Sequence, residues 1–445
     1  MKTPIVDFVK KYAASNSIRL HMPGHKGVGS LGFEKIDITE IEGADVLYSA
    51  DGIIAESQQN ASKLFKSKKT LYSTEGSSLC IRAMLYLIKY IALQNGEKPL
   101  IAAGRNAHKT FVSACGLLDI DVEWLLPIDS NSIISCDITA DYIKEYLSGG
   151  NPKPSAVYIT TPDYLGNTVD IEQISRVCRE HNVLVVVDNA HGAYLKFLAI
   201  DKHPITLGAD MCCDSAHKTL PVLTGGAYLH VSDTAPDFLA ENAQTAMSIF
   251  ASTSPSYIIL QSLDEANKYI YDNYKLKLSA FVKKVDAIKN ELALNGYSLC
   301  GNEPLKITIY AKSYGYTGIE LSQILAQKNI VCEFCDPDYI VFMLSPENEE
   351  DIEKLKNALL DIKSKEKIKS LAPLPGLKQR KNTFAQVLYA KKEKLPIEKC
   401  KGKISGCIDA ICPPAIPIIL PGEEIDDDAI KSLKYYGIKE WIVLK

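Results

Sequence analysis

The sequence predicts an α/β fold: a large domain around a mostly parallel sheet, a smaller α+β domain, and a proline-rich C-terminal lobe. Three observations carry that prediction. Short apolar runs alternate with amphipathic stretches from about residue 70 to residue 231, the pattern of successive βαβ units joined by right-handed crossovers. Val183–Val187 is an unbroken apolar run, as expected of a strand buried on both faces of a parallel sheet. The prolines from Pro396 to Pro421 exclude a long helix near the C-terminus, leaving an extended lid or a small separate lobe.

In chain order, Ile5, Phe8, Val9 and Tyr12 mark an amphipathic helix within residues 1–20. HMPGHKGVGS follows as a Pro/Gly-punctuated loop. A helix ends near Phe65, a loop at Ser73–Ser78 feeds an apolar helix from Leu79 to about Leu93, and a further strand, loop and helix follow around His108. Ala156–Thr161 reads as a strand, with a helix from about Ile171, and Ala227–Val231 as the last strand of the large domain. A helix of some 35 residues runs from the Ser/Thr/Pro cluster at 252–256 to Asn295–Gly296, its lysines forming a solvated face. The smaller domain reads as strand 306–311, helix 317–328, strands near 331–334 and 339–344, and helix 349–362. The predicted division is 1–35, 36–262, 263–370 and 371–445.

Composition narrows the function. With 445 residues, 46% of them hydrophobic and 23% charged, the chain can bury an extensive core in two or three domains. A net charge of −4 gives no reason to expect nucleic acid or an anionic membrane as partner. No signal-peptide core opens the chain and no stretch reaches membrane-span length, so the cytoplasm is the expected location. Among twelve cysteines, Cys332 and Cys335 form a lone Cys-x-x-Cys without a second pair, and Cys212–Cys213 sit in an apolar strand; reduced thiols, not a metal centre, are expected. His21 and His25 likewise lack a third ligand at metal spacing.

Asp188 follows the apolar run directly, at the strand end where α/β sheets place ligands. About thirty residues on, Ser215-Ala216-His217-Lys218 follows another short apolar segment. A carboxylate and an amine so placed suit pyridoxal phosphate: the amine forms a Schiff base, and the acid keeps the ring nitrogen protonated. Gly76-Ser77-Ser78 begins a helix, which fits either phosphate binding or plain N-capping by a serine. His108, just past a strand, could lie over a planar ring or be a surface histidine.

These landmarks, in this order, resemble the Orn/Lys/Arg decarboxylase family of pyridoxal-phosphate enzymes in its short form: HMPGHKG, ADVLY, STEGSS, RNAHK, the strand end Asp188–Gly192, DSAHKTLP, TSPSY, and Pro-Pro-x-x-Pro before Pro-Gly-Glu. The resemblance spans about residues 20–425 and implies the fold type I architecture. It further implies Lys218 as the Schiff-base lysine, Asp188 as the ring-nitrogen partner, and His217 with Lys218 as proton donors. Gly76, Ser77, Ser78, Ser215 and His217 would hold phosphate, His108 would stack on the ring, and Ala190 and His191 would border it. Thr253 would reach the site from a neighbouring subunit, implying a homodimer with shared sites, alone or within a larger assembly. No metal is implied. The implied reaction is decarboxylation of lysine, arginine or ornithine to an amine; an aminotransferase or another lyase on the same fold is the alternative. An aminotransferase needs an arginine clamp, and no arginine follows Arg380. Asp163, Glu423 and Glu424 are candidate readers of a basic side chain or members of a solvated rim, the rim being the preferred reading for Asp163 and Glu424. Two positions depart from the family pattern: Ala415 replaces a common Gly, and Asp163 precedes Tyr164 where Thr is more usual.

Overall fold

The computed structural model of the chain describes residues 1–445 except 128–131, 377 and 409–414. Pro413 and Pro414 of the proline motif therefore lie outside the described residues. Contacts group the chain into two compact units. One comprises Met1–Glu97, Ser155–Val157 and Ile171–Ser279; the other comprises Lys98–Pro154, Tyr158–Asp170 and Ala280–Lys445.

Seven strands form the main sheet: β1 (Lys69–Ser73), β2 (Leu100–Gly104), β3 (Asp121–Leu125), β4 (Ala156–Thr160), β5 (Leu184–Asp188), β6 (Met211–Asp214) and β7 (Ala227–Val231), in the order β1-β7-β6-β5-β4-β2-β3. The β5–β6 and β2–β3 pairs are parallel, whereas β7 runs antiparallel to both of its neighbours, β1 and β6. Hence β1, β5 and β6 point the same way and end on one edge. Every residue of β6 and β7 is buried, which is why these segments read as continuous apolar runs rather than alternating ones.

In the first unit, helix Ser77–Gln94 packs on helix Asp237–Phe250. The N-terminal helix is confined to Pro4–Ala13, because Ser15 turns its hydroxyl back to the Tyr12 carbonyl and to Ser17. It buries Ile5, Val6 and Val9, and Asp264 accepts the Ile5 and Val6 N–H groups at 2.9 and 3.0 Å, replacing the missing cap. The long helix expected between residues 252–256 and 295–296 is Tyr257–Tyr269, a π-helical turn at Ile270–Tyr274, and Lys275–Leu294.

The second unit holds an antiparallel sheet, β10-β11-β9-β8, built from β8 (Leu299–Cys300), β9 (Lys306–Tyr310), β10 (Phe334–Cys335) and β11 (Tyr339–Met343). Helix Gly318–Ala326 starts at a capping box in which Thr317 and Glu320 satisfy each other's backbone N–H groups. At the C-terminus, β12 (Lys392–Pro396) pairs with β13 (Glu440–Leu444) beside helix Asp427–Tyr435. Ile397, Cys400, Ile419, Ile425, Leu433 and Val443 give this segment its own core, so it is a small lobe rather than an extended lid.

Candidate active site

Parallel pairing sets Asp188 opposite Cys213, so β5 and β6 deliver Asp188 and Asp214 to the carboxyl edge together. Asp188 is buried, and its Oδ1 accepts the Ala190 N–H at 3.2 Å and the Cys213 thiol at 3.6 Å. The following turn is closed by bonds from Asn189 N–H to the Cys213 carbonyl (3.0 Å) and from Gly192 N–H to the Asn189 carbonyl (2.8 Å). Glycine is required at 192, where a Cβ would lie 1.9 Å from Asn189 Oδ1. The turn buries His191, whose Nε2 lies 3.0 Å from Lys218 Nζ.

Lys218 stands in the four-residue helix Ala216–Thr219 immediately after β6. Its neighbour His217 donates from Nδ1 to the Gly226 carbonyl at 2.9 Å. Burial pushes the His217 imidazole below its ordinary range; the Gly226 carbonyl opposes this and the Lys218 charge adds to it. The ring is therefore neutral at neutral pH, with Nε2 as an acceptor.

β1 ends at Ser73 on the same edge. Gly76, not a serine, is the N-cap of helix Ser77–Gln94, with φ 71° and no capping side chain. The N-capping alternative for Ser77 or Ser78 is thus ruled out, because both lie inside the first turn. Gly76 N–H donates to the Gly225 carbonyl at 2.7 Å, and Ser215 Oγ donates to Ser77 Oγ at 2.8 Å. An 18-residue helix that starts on a glycine and is flanked by hydroxyls has the donor set of an anion site. Gly225 has φ 101°, and a Cβ there would lie 2.8 Å from the Thr74 carbonyl oxygen. These residues fit pyridoxal phosphate: hydroxyls and helix N–H groups for its phosphate, an acid for its ring nitrogen, and an amine for its aldehyde.

Thr253 is exposed in the same unit, and its neighbour Ser252 donates its N–H to Glu75 Oε1 at 2.8 Å, tying TSPSY to the STEGSS loop. His108 belongs to the second unit, where it caps helix Lys109–Leu118: Nδ1 accepts the Thr110 N–H at 3.1 Å. Ala415, also in that unit, has left-handed φ (58°), which accounts for glycine being the common residue there.

The three candidate side-chain readers are turned to other work. Asp163 is buried, its carboxylate accepting from Ser135 Oγ (2.6 Å), Asn167 Nδ2 (2.8 Å) and Asn167 N–H (2.9 Å). Glu423 accepts the Leu420 N–H at 2.9 Å and the Lys378 N–H at 3.3 Å, and Glu424 pairs with Lys381. Two arginines are also bound to backbone: Arg105 donates to the Pro417 and Ile418 carbonyls at 2.9 and 3.0 Å, and Arg380 to the Val122 carbonyl at 3.3 Å.

One cluster was not visible in the sequence. Asp214, fully buried, accepts from His203 Nε2 (2.9 Å) and His230 Nε2 (3.1 Å) on Oδ2, and from Asn189 Nδ2 (2.7 Å) on Oδ1. The two histidines and the acid offer ligand atoms within 4.8 Å of one another. A carboxylate only accepts, so both Nε2 atoms carry the proton and are spent on Asp214; the cluster is a hydrogen-bond centre. It joins the turn bearing Asp188 and His191 to the residue before Ser215.

The sheet, the strand-end acid, the lysine after β6 and the glycine–serine cradle define a fold type I enzyme of the pyridoxal-phosphate-dependent class. The Orn/Lys/Arg decarboxylase major domain matches residues 3–307 and the C-terminal domain of the same family matches residues 366–442. The chain belongs to that family and is a pyridoxal-phosphate-dependent decarboxylase. It is 29% identical over 471 residues to the uncharacterised protein YaaO of Bacillus subtilis, covering 97% of this chain and 94% of that one. It is 28% identical over 465 residues to an arginine decarboxylase of Halalkalibacterium halodurans, covering 97% and 93%. Among solved structures it is similar to the Francisella novicida lysine decarboxylase LdcF, with TM-score 0.76, 19% identity, and 99% and 79% of the two chains covered.

Proposed function

We propose that the enzyme decarboxylates a basic amino acid (arginine, lysine or ornithine) to the corresponding amine, as a homodimer with shared sites. The observation that carries this reading is the Lys218 amine, 3.0 Å from His191 Nε2 on the turn that begins at Asp188. Bound pyridoxal phosphate supplies an aldehyde for that amine and a ring that withdraws the electrons left when the carboxylate departs. Asp188 keeps the ring nitrogen protonated, which a neutral side chain would do poorly. Ser77, Ser78 and Ser215 hold the phosphate, with the backbone at Gly76. Ala190 and His191 border the ring. Lys218 Nζ returns the proton to the substrate carbon. His217 stands beside Lys218 with its Nδ1 held by the Gly226 carbonyl, and burial pushes its imidazole below the ordinary range.

The names of the curated relatives, arginine decarboxylases matched over 97% of this chain, favour arginine as the first substrate to test. The alternative aminotransferase is disfavoured by Arg105 and Arg380, both engaged with backbone carbonyls. A second copy of the chain is supported by the exposed apolar side chains that flank the HMPGHKG segment, Leu20 (88% exposed), Val28 (78%) and Leu31 (71%), and by exposed Thr253. The free thiols of all described cysteines support a reducing, cytoplasmic setting. The reading keeps the cofactor domain at 36–262, the small domain at 263–370 and the C-terminal domain at 371–445.

The test is to incubate the purified protein and pyridoxal phosphate with single amino acids while measuring carbon dioxide, amine and keto acid. Stoichiometric carbon dioxide and amine from a basic amino acid is the expected result. Keto acid in their place makes it an aminotransferase, and a Lys218→Ala variant that keeps full turnover removes the assigned lysine.

A further inference from the structure

Cys332 and Cys335 take no part in the proposed reaction, yet the backbone between them is built in an irregular way. β10 and β11 form a tight hairpin at one edge of the antiparallel sheet, closed by the bond from the Asp336 N–H to the Tyr339 carbonyl at 3.0 Å. Strand pairing sets Phe334 against Val341, and the Glu333 N–H also donates to the Val341 carbonyl, at 2.9 Å. Two residues stand opposite one, which is a β-bulge.

In a regular strand, residues three apart point to opposite faces. The extra residue shifts that alternation by one and turns Cys332 and Cys335 to the same face. The side-chain contacts agree. Glu333 and Phe334 both meet Tyr164: Glu333 Oε1 accepts from its hydroxyl at 3.0 Å, and the Phe334 ring stands edge-on to it with centroids 5.2 Å apart. The two cysteines instead meet Ser322 of helix Gly318–Ala326. Cys332 Sγ donates to Ser322 Oγ at 3.4 Å, and the Cys335 thiol lies within hydrogen-bonding reach of both that hydroxyl and the Cys332 thiol. Among the described cysteines, Cys300, Cys332 and Cys335 are partly exposed and the others are buried. Cys300 belongs to β8 at the far edge of the same sheet, three strand spacings or roughly 14 Å away.

We propose that Cys332 and Cys335 are a redox modification site, closing reversibly to an intrachain disulfide by exchange with a small disulfide such as oxidised glutathione. The Cys332 sulfur gives up its proton and attacks one sulfur of the small disulfide, whose S–S bond breaks as one small thiol leaves. The Cys335 sulfur then gives up its proton and attacks the Cys332 sulfur, forming the internal bond and releasing the second small thiol. The cysteines lose two electrons and two protons, and the two released thiols carry them away. Burial raises the Cys335 thiol above its ordinary range, opposed by the Ser322 hydroxyl. That suits Cys335 to the second step, in which its target is already held beside it.

The test equilibrates the full chain, saturated with pyridoxal phosphate, in glutathione buffers of rising oxidised fraction. Remaining thiols are alkylated, the chain is cut with trypsin, and the peptides are weighed without reduction. The expected product is the peptide 329–354, which holds both cysteines, unalkylated and lighter by two hydrogens. Dithiothreitol should return it to two alkylated thiols. Cys335→Ser should halt at a mixed disulfide on Cys332, whereas Cys332→Ser should leave Cys335 a thiol over the same exposure. Two free thiols in the unaltered protein even in fully oxidised glutathione overturn the proposal. So does a mixed disulfide that persists there, or a bond from either cysteine to a different one. These outcomes are read on the unaltered chain and do not depend on how either variant folds.

Discussion

Replacing Asp214 by asparagine tests whether the buried hydrogen-bond centre holds the strand ends of the active site. The carboxylate accepts three N–H donors, from His203, His230 and Asn189. Hydrogen bonds to a charged acceptor contribute about 1.5–3 kcal/mol each against about 0.5–1.5 for neutral ones, so neutralising the acceptor loses about 1 kcal/mol per bond. Asparagine can keep both imidazole bonds on its remaining oxygen, and Asn189 can turn its amide to meet the new NH₂ group. The expected loss is therefore about 2–3 kcal/mol, with relief of the buried charge favouring the lower figure. Alanine leaves three buried donors unpaired at about 1–3 kcal/mol each, or about 3–9 kcal/mol, comparable with the whole stability of many domains. Urea unfolding at pH 7 measures both variants. Burial opposes ionisation of Asp214, but His203 and His230 outweigh it and hold the carboxyl well below its ordinary range. A depressed carboxyl contributes stability that is present above the unfolded value of about 4 and is lost as pH falls. The gap between the unaltered protein and the Asp214→Asn variant should therefore narrow on acidification below about pH 4. A variant within about 0.5 kcal/mol of the original at pH 7, or a gap that widens in acid, refutes the assignment.

Three further outcomes follow from the same geometry. Gly225→Ala places a Cβ 2.8 Å from the Thr74 carbonyl beside the bond to Gly76, so the affinity for pyridoxal phosphate should fall by at least about tenfold in an absorbance titration. Asp163→Asn should lower stability by about 1–3 kcal/mol and leave the kcat/KM ratio between arginine and lysine unchanged, because this acid organises its own turn. A changed ratio would restore it as a substrate reader. Burial raises the Asp264 carboxyl to about 6, against the opposing bonds from Ser57, Val6 and Ile5. A raised carboxyl contributes stability that is greatest below about pH 4 and is lost as pH rises through its folded value. Asp264→Asn does not titrate, so it should gain about 2–3 kcal/mol on the original protein between pH 4 and pH 7 in urea unfolding.

How much was legible depended on whether a feature is fixed by a short stretch of chain. β5 and Asp188 were readable because a strand buried on both faces needs an unbroken apolar run, and its end follows from that run alone. The start of helix Gly318–Ala326 was readable because a capping box is a local pattern. The edge strand β3 was not, since Asp121–Leu125 is only partly buried and its polar residues mask the strand signal. Nor was helix Ala140–Ser148, in which Ile143 is the one buried residue. The π-helical turn at Ile270–Tyr274 leaves the periodicity of the long helix nearly intact, so it too went unseen.

The site divides along the same line. Lys218, Asp188 and the Gly76–Ser78 segment were legible as candidates because each chemical role demands a residue type in one local setting. The residues that hold them were not found, because they are brought together by register. His230 meets Asp214 through the β6–β7 pairing, which sets Cys212 against His230, and His203 arrives from a connecting segment that no periodicity marks. The partners of the acidic candidates were not legible for a related reason: sequence supplies a carboxylate but not its direction. Asp163 turns back onto the N–H of Asn167, a local bond that competes with any outward role. In this fold an acid at a loop is first a loop organiser, and the carboxylate that reads a basic substrate has to be sought where the backbone's own donors are already satisfied.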